Sequence, residues 1–309
     1  MDSIFLAISP IFFLILLGWL FENRGFPGTG FWPLAEKITY YVFFPALLFS
    51  SLYQADFSQA GFLGLTLVIG SSMLAVTAAM LVMRPLLKLS GPDFSSVFQG
   101  GLRPNTYVGI SAAFIILGQE GLSLAAMVMS VMIPLANLIS VTVVTVFGQN
   151  QRKGWLQGLN SVAGNPLILA CILGYLANIS GLPLVMGTRE TISILSQAAL
   201  SLGLLSVGAG LRFKGLAAKT GPLLWAATFK LAALPLLTGI LALMAGLGEP
   251  AVLICILFTS LPCGAAAYVM ARQLGGGLDM MAAVITVQTV AALVTIPAVM
   301  GVFRAFLGS

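Results

Sequence analysis

Apolar runs of about 20 residues recur along the whole chain, each long enough to cross a hydrocarbon core of about 30 Å. Short polar connectors separate them. The pattern predicts ten helical spans at 4–21, 36–54, 61–83, 94–117, 121–147, 164–180, 189–211, 221–245, 250–271 and 279–304. A membrane β-barrel would show alternating segments of about 10 residues, and these runs do not alternate. The predicted fold is an all-α polytopic membrane protein.

Two of the runs are interrupted. Gly101-Leu102-Arg103-Pro104-Asn105-Thr106-Tyr107-Val108-Gly109 puts a charge, an amide and a helix breaker into the fourth span. Ser260-Leu261-Pro262-Cys263-Gly264 puts a second helix breaker, without the charge or the amide, into the ninth. Proline removes a backbone donor and clashes with the preceding turn. Each break is expected to start a new half-helix, since proline is tolerated in a first turn. Arg103 lies about nine residues past Phe94, or roughly 14 Å deep at 1.5 Å per residue.

Prolines recur at nearly constant separation between the halves: Pro10 with Pro166, Pro104 with Pro262, Pro134 with Pro297. Five spans per half is an odd number, so the second half would enter the membrane upside down. The expected organisation is therefore two inverted five-helix repeats, 1–147 and 164–309, joined by a cytoplasmic connector at 148–163, with broken, crossing helices 4 and 9. The amino ends of the two half-helices would meet near the midplane, and their free N–H groups and dipoles would favour an anion.

Composition supports this reading. Of 309 residues, 59% are hydrophobic and 7% charged, against roughly a quarter charged in soluble domains. The first run has only Asp2 before it and no basic region, so it reads as a retained span rather than a signal peptide. Arg24, Lys37, Arg84, Lys88, Arg152, Lys153, Arg212, Lys214, Lys219 and Arg272 collect on one side of the predicted spans, with Arg189 and Arg304 on the other. Basic residues mark the cytoplasmic side. The chain is thus expected in the cell membrane as a multi-pass protein with both termini outside. The net charge of +5 gives little support to a nucleic-acid partner, and lipid is the expected surrounding.

Charge inside the spans narrows the chemistry. Arg103 and Lys230 are placed deep, while Asp56, Glu120, Glu249 and Asp279 fall at span ends. Intramembrane cations usually face a pore or a partner. An anionic substrate is one such partner; snorkelling and bonding to carbonyls freed at a break are the others. There is no histidine and no deep carboxylate, so the acid–base residues of an intramembrane enzyme are missing. The three cysteines, Cys171, Cys255 and Cys263, have no metal-ligand spacing, and no cofactor is expected. Candidate substrate contacts are Arg103, Pro104, Asn105, Thr106, Tyr107, Lys230, Pro262, Cys263 and Gly264.

Four stretches give the chain a family likeness: Glu36 to Phe49, Pro104-Asn105-Thr106 with Gly109, Lys230 with Pro235, and Leu261-Pro262 with Gly264 followed by Tyr268 to Gln273 and Asp279. In these it resembles the auxin efflux carrier family, which includes plant auxin transporters and bacterial proteins proposed as malonate permeases. The resemblance implies a scaffold of spans 1, 2, 6 and 7 that forms a homodimer. It also implies an elevator-like transport domain of spans 3–5 and 8–10, with Asn105 and the backbone after Pro262 at the substrate. The expected function is a secondary transporter for a small organic anion, malonate-like or auxin-like. The rival is a sodium-coupled organic anion symporter of the bile-acid type, for which Gln288, Gln197 and Asn137 are the available amide ligands.

Overall fold

The computed structural model describes residues 2–28, 30–54, 61–149, 166–181, 183–185 and 187–307. Among these there are helices and no strands. The order is α1 (Asp2–Asn23), α2 (Phe31–Ile38), α3 (Phe44–Tyr53), α4 (Phe62–Val82), α5 (Arg84–Leu87), α6 (Gly91–Leu102), α7 (Thr106–Phe147), α8 (Pro166–Ser180), α9 (Thr188–Ala209), α10 (Thr220–Thr228), α11 (Leu234–Met244), α12 (Glu249–Ser260), α13 (Ala266–Leu274) and α14 (Leu278–Leu307). Five helical runs are long and apolar enough to cross a membrane: Phe62–Val82, Gly91–Phe147, Thr188–Ala209, Ala217–Met244 and Leu278–Leu307. The expected connector falls almost wholly outside the described residues, along with Arg152 and Lys153.

Proline chemistry shapes the helices locally. The residue before a proline is pushed out of the α region, and this is how α6 and α12 end. Arg103, before Pro104, is extended at φ −75° and ψ 131°. Leu261, before Pro262, is extended at φ −62° and ψ 144°. The half-helices restart later than expected, at Thr106 and Ala266, so both prolines sit in the extended links and not in a first turn. Two other prolines act more mildly. The helix widens into a π turn at Thr39–Phe43 just before Pro45, and at Phe229–Ala233 just before Pro235. In each case the ring would clash with a carbonyl one turn back, and the wider turn relieves it.

Capping residues set the other ends. Ser90 accepts from the Asp93 amide at 3.3 Å, and its hydroxyl donates to the Asp93 carboxylate at 2.9 Å, which starts α6 with a reciprocal cap. Gly118 breaks α7 with φ 58° and ψ −137°. α7 is therefore two helices meeting at a kink, and the kink falls where the apolar pattern divides the fourth span from the fifth.

Packing falls into two groups. α1 lies along α9, and α3 packs on α8 and α9. Gly18 and Gly208 permit the first of these contacts. A Cβ on Gly18 would strike the Leu205 backbone, and one on Gly208 the Ile15 backbone. Such small residues bring membrane helices together where no hydrophobic force does. In the second group α4, α6, α7 and α10 to α14 pack around each other, with α12 against α7, α11 and α14, and α6 against α7 and α14. The two half-helices before the breaks form its centre. Every residue from Phe94 to Leu102 and from Val252 to Ser260 is buried. By contrast α8 leaves Leu169, Ile172, Leu173, Leu176 and Ile179 exposed, a face suited to lipid. Arg84 stacks over Phe147 at 4.2 Å and Arg272 over Tyr268 at 5.0 Å, consistent with anchoring at span ends.

Candidate functional site

The two breaks meet. The Asn105 amide donates to the Pro262 carbonyl at 2.7 Å. Gly264 lies against the same segment. A Cβ there would stand 2.9 Å from the Pro104 oxygen and 3.1 Å from the Asn105 Cα, so only glycine allows this approach. Pro104, Asn105, Pro262, Cys263 and Gly264 therefore form one junction of two extended links.

Each link is tied down differently. Asn105 caps α7: its Oδ1 accepts from the amides of Tyr107 at 3.2 Å and Val108 at 3.4 Å. Some of the amino-end N–H groups expected to face a ligand are thus satisfied within the chain. The second link is held by Gln288 of α14. Its Oε1 accepts from the Cys263 amide at 2.9 Å, and its Nε2 donates to the Gly100 carbonyl at 2.9 Å. One amide thus clamps both broken helices. Sequence reading had Gln288 only as one of three possible sodium ligands, and nothing local to it signals a clamp.

Unpaired polar atoms remain at the junction. Asn105 is fully buried, and its Nδ2 has no hydrogen-bond partner. Both amide atoms of buried Gln99 are likewise without one. Gln99 belongs to α6, and its carbonyl is 3.9 Å from the Cys263 thiol. Buried polar groups are costly unless paired, and these three atoms are the hydrogen-bonding capacity the junction leaves unused. Gln99 was missed in the sequence because an amide one turn before a break carries no pattern of its own.

The cations and the aromatic residue are placed as follows. Arg103 is nearly buried, with Nη1 3.4 Å from the Met270 sulfur of α13. Lys230 lies in the second π turn and is wholly buried. Its Nζ donates to the carbonyls of Thr259 at 3.1 Å and Leu102 at 3.4 Å. Of the partners weighed for it, the carbonyls at the breaks are those observed. Thr106 and Tyr107 open α7, and the Tyr107 ring lies edge-on to Phe44 of α3, 4.1 Å between centroids. Tyr107 thereby touches the first helix group from the second.

Elsewhere, a groove of about 420 Å³ opens between α1, the end of α9 and α14. Its lining includes Phe12, Phe13, Leu16, Trp19, Phe213 and Leu293, and it contains none of the junction's polar atoms. Among the described residues no group of three His, Cys, Asp or Glu side chains could hold a metal. The oxygens that the junction offers a cation are those of its backbone carbonyls and amide side chains.

Comparison with known proteins bears on this geometry. Residues 197–308 match the family model described as the sodium bile acid symporter family. That stretch contains Lys230, Pro262, Cys263, Gly264 and Gln288. The chain is also 24% identical over 294 residues to an uncharacterized transporter of Methanothermobacter thermautotrophicus, covering 94% of this chain and 95% of that protein. The match corrects the expected membership of the auxin efflux carrier family: the model that fits is the bile acid symporter one. The Pro-Asn-Thr and Leu-Pro-x-Gly stretches that suggested auxin carriers mark a broken-helix junction, and such junctions recur across transporter folds. Both matches support a secondary transporter in a multi-pass membrane setting.

Proposed function

We propose that this chain is a secondary transporter for a small organic anion, of the bile acid symporter kind, with its substrate held at the junction of the two broken helices. The observation that carries the site is the Asn105 Nδ2, a buried donor without a partner beside the amino end of α7. A carboxylate accepts from such a donor and is favoured by the helix dipole. Gln99 adds two further polar atoms, and Arg103 adds positive charge nearby. The extended backbone after Pro262 completes the contact set, and Thr106 and Tyr107 form its border with α3.

Ten spans in two inverted halves, 1–147 and 164–309, are the architecture we propose for it. The similar breaks at Arg103-Pro104 and Leu261-Pro262 support the repeat. The two packing groups support a division of labour, in which α1, α2, α3, α8 and α9 frame the group carrying the breaks. Relative movement of the groups would expose the junction to each side in turn. Both termini outside the cytoplasm remains the orientation favoured by the basic residues.

The test is counterflow of labelled monocarboxylates, dicarboxylates and a bile acid in proteoliposomes, each in sodium chloride and in choline chloride. Saturable counterflow of at least one anion is expected, and its absence for all of them would remove the organic-anion reading. A sodium requirement would fit the name of the matched family. Asn105→Ser keeps a capping oxygen and loses the amide donor. It should cut flux about tenfold, the size of one lost hydrogen bond of about 1.4 kcal/mol. Wild-type flux in that variant would take the substrate away from Asn105.

A further inference from the structure

Lys230 is fully buried, and the two oxygens it meets have a common character. Leu102 is the last residue of α6, and Thr259 is the last but one of α12. The final four carbonyls of a helix have no partner within it. Each helix end also carries the equivalent of roughly half a negative charge. Two such ends converge on one ammonium, at 3.4 and 3.1 Å. The sum is close to one negative charge facing one positive charge. The one ion pair found among the described residues, Arg212 with Glu22, involves neither Lys230 nor the junction.

In transporters built on discontinuous helices, unwound carbonyls and half-helix carboxyl ends are the groups that bind sodium. Here a side chain of the protein reaches the same kind of oxygens. The π turn before Pro235 belongs to this arrangement. It places Lys230 within the widened segment of the helix, packed on both α6 and α12. An ammonium offers three donors and no acceptor, so it can serve several carbonyls at once, as a small metal cation does.

We infer that Lys230 is a built-in cation of the junction, taking the place of a free sodium ion between the carboxyl ends of α6 and α12. This rests on the transporter reading for its context and adds what neutralises the crossing. Removing the ammonium should leave a carbonyl site that a small cation can fill.

The experiment uses the purified full chain in detergent and reads thermal unfolding in sodium chloride and in choline chloride at equal ionic strength. Lys230→Ala should unfold several degrees below the unaltered protein in choline, and sodium should restore most of the loss. Lys230→Arg, which keeps a cation, should show no extra response to sodium. A sodium shift in Lys230→Ala no larger than that of the unaltered protein would overturn the inference. Lys230→Ser supplies a small oxygen-bearing alternative and is read in the same way. Failure of both variants to fold in either salt would also overturn it, because sodium is said to replace the ammonium. No substrate enters this measurement, so its outcome is separate from that of the counterflow test.

Discussion

The two breaks share Gln288 and a backbone bond, but the first link also caps its own helix through Asn105, and the second has no such cap. At the first, Asn105 sits where its side chain caps the two amides that follow it. At the second, α13 begins without a side-chain cap, and the Cys263 amide depends on Gln288 of the next helix. Both links are extended for the same reason, the proline that follows Arg103 and Leu261. What differs is the means of satisfying the backbone once it is extended. In a membrane that difference matters, because no bulk water stands ready to pair a freed N–H. The first link is capped by its own side chain, yet it is also joined to the second link through the Asn105 N–H on the Pro262 carbonyl. The clamped break is fixed to α14 and, through Gln288, to α6.

The largest effect should come from loosening the clamp. Gln288→Leu strips partners from the Cys263 N–H and the Gly100 carbonyl, two buried groups at about 1–3 kcal/mol each. Unfolding in mixed micelles should show a loss of about 2–6 kcal/mol. A loss below about 1 kcal/mol would mean that the second break is not held from α14. Next is the contact between the links. Gly264→Ala brings a Cβ against the Pro104 oxygen, and such overpacking costs about 1–3 kcal/mol. Unchanged stability would show that the links can part without penalty. The smallest is the cap: Asn105→Ala should cost about 1 kcal/mol and Asn105→Ser nearly nothing. If the alanine variant lost as much stability as Gln288→Leu, the two breaks would not differ in the way argued.

The positions of both breaks were readable in the sequence because proline acts on its immediate neighbours. The apolar periodicity gave the helices for a related reason, since membrane-spanning length is a local property. Helix ends moved where local rules compete. The prolines fell in the links, and helical structure restarted only at Thr106 and Ala266. The site was legible in part. Asn105 could be picked out as a polar residue beside a break. Gln288 could not be assigned its task, because the partners of its amide lie in two other helices. Nor could the sequence rank the fates of Lys230, which depended on where the carboxyl ends of α6 and α12 came to rest. The family likeness was misread for the opposite reason: a short motif that makes a broken helix says little about which carriers use it.

The tethered ammonium has an electrical consequence. A sodium ion that binds and leaves with the substrate adds its charge to every cycle, and a lysine never leaves. A carrier whose crossing is neutralised by Lys230 would therefore move only the anion's own charge for that site. Each unit of that charge is worth about 2.3 kcal/mol per 100 mV of membrane potential. The voltage together with the anion's own gradient, rather than a sodium gradient, would then set the direction in which such a carrier runs.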